Sequence, residues 1–285
     1  MGGGGQDLGS MQGMTTYRPV YFFLIAFLIT WTCEFIAAYC SYQTGMQGMQ
    51  DLFLLLGILG PFAATLVMFF RSKDPRLWKD YFDRIVNFRR IRLYDIPVAL
   101  FLFPVVILLA IILSLPFGQP ASQFGLTMQF GFTAGFMPVI LILVYAPAFE
   151  ELGWRGYGMD SLRSRCTLFS ATLWFAGLWA LWHLPLFFIS HYYHNQLLSN
   201  WLYFVNFWVS VLPMAFLINW LYYRNNRSVI ACFLIHLSAD ISMSVFPLEQ
   251  FTKCIVTVLL LVVAAAVVYA DRKLFFDKEP YPVTV

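Results

Sequence analysis

Apolar residues run along this chain in long blocks, and polar residues interrupt them at nearly regular intervals. A helix needs about 20 apolar residues to cross a bilayer. Eight blocks reach or approach that length: about 20–40, 52–70, 96–116, 134–151, 168–190, 201–222, 228–247 and 252–270. Pro138 and Pro147 interrupt the fourth block and glutamates end it, so a bent or broken helix is expected there. Each segment in lipid must satisfy its own backbone, which selects helices. The expected fold is all-α, a polytopic membrane helical bundle with about eight transmembrane helices.

Composition excludes a soluble domain. Of 285 residues, 60% are hydrophobic and 12% charged, against about 25% charged in soluble domains. The scattered cysteines, Cys33, Cys40, Cys166, Cys232 and Cys254, form no CxxC pair and are expected to be small packing residues. Basic residues orient the bundle. Arg71, Lys73, Arg76, Lys79, Arg84, Arg89, Arg90 and Arg92 crowd the connection after the second block, and with eight spans only Lys253 of the 18 Lys and Arg falls on the opposite side. A multi-pass protein with both termini cytoplasmic is expected, in a bacterial cytoplasmic membrane. Residues 1–19 are expected as a flexible leader, 20–270 as a single helical-bundle domain and 271–285 as a cytoplasmic tail. The lipid bilayer and a membrane-associated peptide or protein substrate are the expected partners, and no nucleic acid is expected.

Polar residues within the apolar blocks carry the candidate chemistry, because a charge at mid-bilayer costs about 2.5–3.5 kcal/mol on insertion scales. Glu150 and Glu151 are adjacent, so on a helix they point about 100° apart. Arg155 lies four residues after Glu151, in the better order for a helical ion pair. This assigns Arg155 to Glu151 and leaves Glu150 to face something else. His183 follows Trp179 by one turn on the same face. His236 and Asp240 also share a face, where the aspartate can hold the histidine's tautomer. Each group alone also fits a plainer role: glutamates wetting at the interface, a packing histidine, a buried structural pair. Glu34 can snorkel or line a cavity and Asn219 can bond across helices, both being read mainly as packing residues, and His191 and His194 are read as members of an exposed outer loop.

Glu-Glu-x-x-x-Arg, then aromatic-x-x-x-His, then His-x-x-x-Asp, in this order and in separate apolar blocks, resembles the CPBP family. This is the group of type II CAAX prenyl proteases and of bacteriocin-processing and abortive-infection (Abi) intramembrane proteins. The likeness covers about 145–245. The resemblance implies that Glu150 is a general base activating water, supported by Glu151 and Arg155. It implies that His183 holds or polarises that water, and that His236 and Asp240 assist at the oxyanion. Trp179 stands where the family usually has Phe, a change expected to affect only cavity shape. Asp240 stands where the prenyl protease archetype has Asn, and an ionised Asp cannot donate to an oxyanion.

The expected activity is therefore that of a glutamic-type intramembrane endopeptidase acting on a membrane-associated peptide or protein, with a cavity opening toward the cytoplasm and no cofactor. A zinc protease using Glu150, His183 and His236 as ligands is an alternative, although the His-Glu-x-x-His signature is missing. A transporter, or a non-enzymatic immunity or regulatory partner, is the other. One difficulty is depth: His183 lies far into the fifth block while Glu150 ends the fourth.

Overall fold

The computed structural model describes residues 17–127 and 139–277. Most of the expected leader, the end of the expected tail and the start of the fourth expected span, including Pro138, lie outside the described residues. The chain forms α1 (Pro19–Ser41), α2 (Gln47–Ile58), α3 (Gly60–Ser72), α4 (Pro75–Val86), α5 (Ile96–Ser114) and α6 (Val139–Gly153). There follow α7 (Met159–Arg163), α8 (Leu168–Trp182), α9 (Tyr193–Leu197), α10 (Trp201–Arg224), α11 (Val229–Val245), α12 (Gln250–Ala270) and α13 (Arg272–Phe276). Side chains cap several N-termini: Thr167 accepts from the Ser170 N–H, Asn200 from Leu202 and Ser228 from Ala231. Large apolar side chains stay exposed along the outer helices, among them Leu24, Leu28, Phe101, Val105, Trp174, Val258 and Val262. In water this would be a liability, whereas in lipid it is the expected surface.

The protein is all-helical among the described residues, and its apolar helices make it a multi-pass membrane protein. By length and composition five helices can span: α1, the run Leu93–Phe117 around α5, the run Leu168–Phe188 around α8, α10 and α12. The pair α2 and α3 makes a sixth, bent by 44°. The expected count of eight is thus approximate: α11 has 17 apolar-rich residues, and α6 carries the glutamates.

The bend between α2 and α3 has a local cause. Pro61 has no N–H, so the Gly57 carbonyl one turn earlier loses its helical donor. The Thr30 hydroxyl of α1 donates to that carbonyl at 2.7 Å, and the Trp182 indole donates to Thr30 Oγ1 at 2.8 Å. One broken helix is thereby tied to α1 and to the end of α8. Just beyond the bend, α3 crosses α6 backbone to backbone. A Cβ on Gly153 would lie 2.3 Å from the Pro61 carbonyl carbon, so only glycine fits there.

The fourth expected span does not end at the glutamates. The helix continues from α6 through a π-helical turn, Trp154–Gly158, into α7 and stops at Arg163. The wider turn disturbs the usual carbonyl pairing, and buried side chains fill in. Arg84 of α4 donates to the Arg155 carbonyl at 2.7 Å and to the Gly156 carbonyl at 3.0 Å, and the Tyr222 hydroxyl donates to the Arg155 carbonyl at 2.9 Å. Arg84 also pairs with Asp80 and Asp160 at 2.9 and 3.1 Å, and Arg227 joins the same two aspartates at 3.0 and 2.6 Å. Two arginines and two aspartates balance, which a buried cluster requires.

This continuation removes the depth difficulty. Measured from the turn that joins Arg163 to Leu168, Glu150 lies roughly 20 Å along its helix and His183 roughly 22 Å along α8. A sequence reading that lets charge end a span places Glu150 too near the surface.

Candidate active site

Glu150 sits near the middle of the α6–α7 rod and is 6% exposed. Its Oε2 accepts two indole N–H donors, Trp154 Nε1 at 3.2 Å and Trp179 Nε1 at 2.9 Å. Trp154 is four residues on, so the helix itself presents it. The hydrogen bond from Trp179 corrects the expectation that this tryptophan changes only cavity shape, since a Phe there has no donor. Oε1 of Glu150 has no protein hydrogen bond among the described residues and is left for the cavity that Glu150 lines.

Glu151 faces away, toward charge. Arg155 Nη1 donates to its Oε1 at 2.9 Å, and both side chains are fully enclosed. Arg155 Nη2 reaches Asn219 Oδ1 of α10 at 3.0 Å, and Asn219 Nδ2 donates to Thr172 Oγ1 of α8 at 3.2 Å. Phe175 lies under the guanidinium, 4.8 Å from ring centroid to Cζ. Asn219, read from sequence as a packing residue, is therefore part of the pair's support.

His236 of α11 donates Nδ1–H to the same Glu151 oxygen at 2.8 Å. That bond fixes which nitrogen carries the proton and turns Nε2 toward Asp240, whose Oδ1 is 3.9 Å away. This is too long for a hydrogen bond. The i,i+4 spacing thus brings Asp240 and His236 together as neighbours without a direct bond. His183, at the end of α8, donates Nδ1–H to the Trp179 carbonyl at 2.8 Å, since a carbonyl can only accept. Its Nε2 is then a lone-pair acceptor.

Glu150, His183, His236 and Asp240 line one cavity of about 200 Å³, together with Glu34, Leu54, Leu55, Ile58, Ile142, Leu143, Ala146, Trp182, Leu186, Tyr192 and His194. Three helices distant in sequence converge on it. Glu34 lines the cavity, one of the roles its sequence position allowed. Sequence reasoning missed His194, which belongs to a short helix that folds inward where an exposed loop was expected. Glu150, His183 and His236 share the cavity, yet no group of three His, Cys, Asp or Glu among the described residues is arranged to hold a metal ion.

A carboxylate with one unengaged oxygen, an imidazole with a free lone pair and a second imidazole oriented by a buried carboxylate share one cavity inside a membrane bundle, a set of groups suited to hydrolysis. Comparison with known proteins points to a protease. Residues 132–242 match the family described as Type II CAAX prenyl endopeptidase Rce1-like. The chain is also 39% identical over 263 residues to CAAX prenyl protease 2 of Methanococcus maripaludis, covering 92% of this chain and 97% of that protein. The chain belongs to the CAAX prenyl endopeptidase family of membrane proteases.

Proposed function

We propose that this protein is an intramembrane endopeptidase that hydrolyses a peptide bond near the C-terminus of a prenylated, membrane-associated protein, using water activated by Glu150. The observation that carries the reading is the complementary state of two side chains lining one cavity. Two indoles hold Glu150 by Oε2, leaving Oε1 to take a proton. The Trp179 carbonyl holds His183 by Nδ1, leaving Nε2 to accept a hydrogen bond from the same water.

In the proposed reaction the water oxygen bonds to the substrate carbonyl carbon and its proton passes to Glu150 Oε1. Protonated His236 keeps Nδ1–H on Glu151 and donates Nε2–H to the developing oxyanion. Asp240, 3.9 Å from Nε2, favours that protonated form by its charge, a role that does not require it to donate. When the tetrahedral adduct collapses, the C–N bond breaks and Glu150 returns its proton to the departing amine. The products are a carboxylic acid and an amine, the acid's proton then passing to the amine so that they leave as carboxylate and ammonium, and Glu150 is restored. No metal takes part in this scheme.

The substrate class rests on the relative named a CAAX prenyl protease and on the cavity wall. Leu54, Leu55, Ile58, Ile142, Leu143, Ala146 and Leu186 suit aliphatic side chains. A prenyl chain would also concentrate the substrate in the bilayer, at about 0.8 kcal/mol per buried CH₂. The test is cleavage by protein in lipid vesicles with a chelator present, comparing a peptide ending in prenylated Cys-aliphatic-aliphatic-X with its unprenylated form. The prenylated peptide is expected to be cut with kcat/KM at least about tenfold higher. Equal rates on the two peptides would remove the prenyl requirement, and activity restored only by added zinc would replace the mechanism.

A further inference from the structure

The cavity has a second polar edge that the hydrolytic set leaves unused. Glu34 of α1 is 1% exposed, lines the cavity, and its Oε2 has no hydrogen-bond partner among the described residues. The fold makes room for this side chain: a Cβ on Gly57 of α2 would come within 2.9 Å of Glu34 Cγ. His194 of α9 lines the same cavity, and both of its ring nitrogens are enclosed and unpaired among the described residues. Its ring lies nearly parallel to those of His183, at 6.0 Å and 16°, and Tyr192, at 5.6 Å and 11°, with the Phe207 ring centroid 4.6 Å away.

Enclosed polar groups without partners are costly, and they persist where something else pairs with them. A carboxylate oxygen accepts, and a neutral imidazole offers one donor and one acceptor. A peptide group presents an N–H donor and a C=O acceptor, which matches that pair. The rest of the wall is aliphatic, as it would be around the side chains of an extended segment.

We propose that Glu34 and His194 form a backbone-binding subsite, in which Glu34 Oε2 accepts a substrate amide N–H and the His194 ring N–H donates to a substrate carbonyl. The subsite rests on the endopeptidase reading. It fixes the register of the chain beside Glu150, so its loss raises KM more than it lowers kcat.

The test uses the vesicle assay and the prenylated peptide, together with a set of analogues each N-methylated at one backbone amide. Wild type is expected to lose about tenfold in kcat/KM on one analogue, the size of one lost hydrogen bond. Glu34→Leu is expected to lose about tenfold on the unmodified peptide and nothing further on that analogue, whereas Glu34→Gln, which keeps a carbonyl acceptor, recovers most of the loss. His194→Phe keeps the ring stack and is expected to raise KM by a similar factor. The proposal is overturned if Glu34→Leu handles the unmodified peptide as wild type does, or if it shows the wild-type penalty on every N-methylated peptide. A wild type that cuts no peptide overturns the hydrolytic reading itself, and the subsite with it.

Discussion

Replacing Glu150 with Gln is expected to lower kcat by about 10²- to 10⁴-fold, the usual contribution of a positioned general base. The substitution keeps the shape of the side chain and one oxygen. That oxygen can still accept from Trp154 and Trp179, the two indoles that now hold Oε2 at 3.2 and 2.9 Å. An amide, however, cannot take a proton from water. KM and thermal stability should therefore stay near wild type while turnover falls. Initial rates on the prenylated peptide, read beside a melting curve of the same preparation, check both halves. Rates close to wild type would show that the base lies elsewhere.

Replacing Arg155 with Met is expected to destabilise the fold by about 3–5 kcal/mol, because it leaves an unpaired charge in the interior. Glu151 and Arg155 are both fully enclosed, 2.9 Å apart. Without the guanidinium, Glu151 keeps only His236, and Asn219 loses the donor on its Oδ1. Arg155→Lys should rescue only part of the loss, since one ammonium does not reproduce the planar fork that reaches Glu151 and Asn219 together. The double variant Glu151→Gln/Arg155→Met should recover much of the stability and little of the activity, because no charge is stranded but His236 loses its carboxylate anchor. Denaturant or thermal unfolding in detergent measures the first effect, and peptide cleavage the second.

These effects differ in how far the chain alone foretold them. The apolar blocks made an all-helical membrane bundle legible, because bilayer thickness fixes helix length. The four-residue spacing made the Glu151–Arg155 pair legible, because helical geometry puts such residues on one face. The continuation of α6 through Trp154–Gly158 was not legible. A π-helical turn depends on Arg84 and Tyr222 arriving from other helices to satisfy the Arg155 and Gly156 carbonyls. Without them, a charged stretch looks like the end of a span. The indole bonds to Glu150 were hidden for a similar reason. Trp179 lies on α8, and only the folded chain brings its indole within 2.9 Å of Glu150. Glu34 and His194 joined the cavity through the bent α2–α3 pair and the inward fold of α9, which no local pattern announces.

The central claim is that Glu150 and His183 act on one water molecule in this cavity. A double-variant cycle tests it most directly, with kcat measured in vesicles for Glu150→Gln, His183→Gln and the two combined. Residues that work as a unit give losses that do not multiply. The account predicts that the double variant is about as slow as the slower single variant. Losses that multiply, or a Glu150→Gln protein that turns over like wild type, would contradict it.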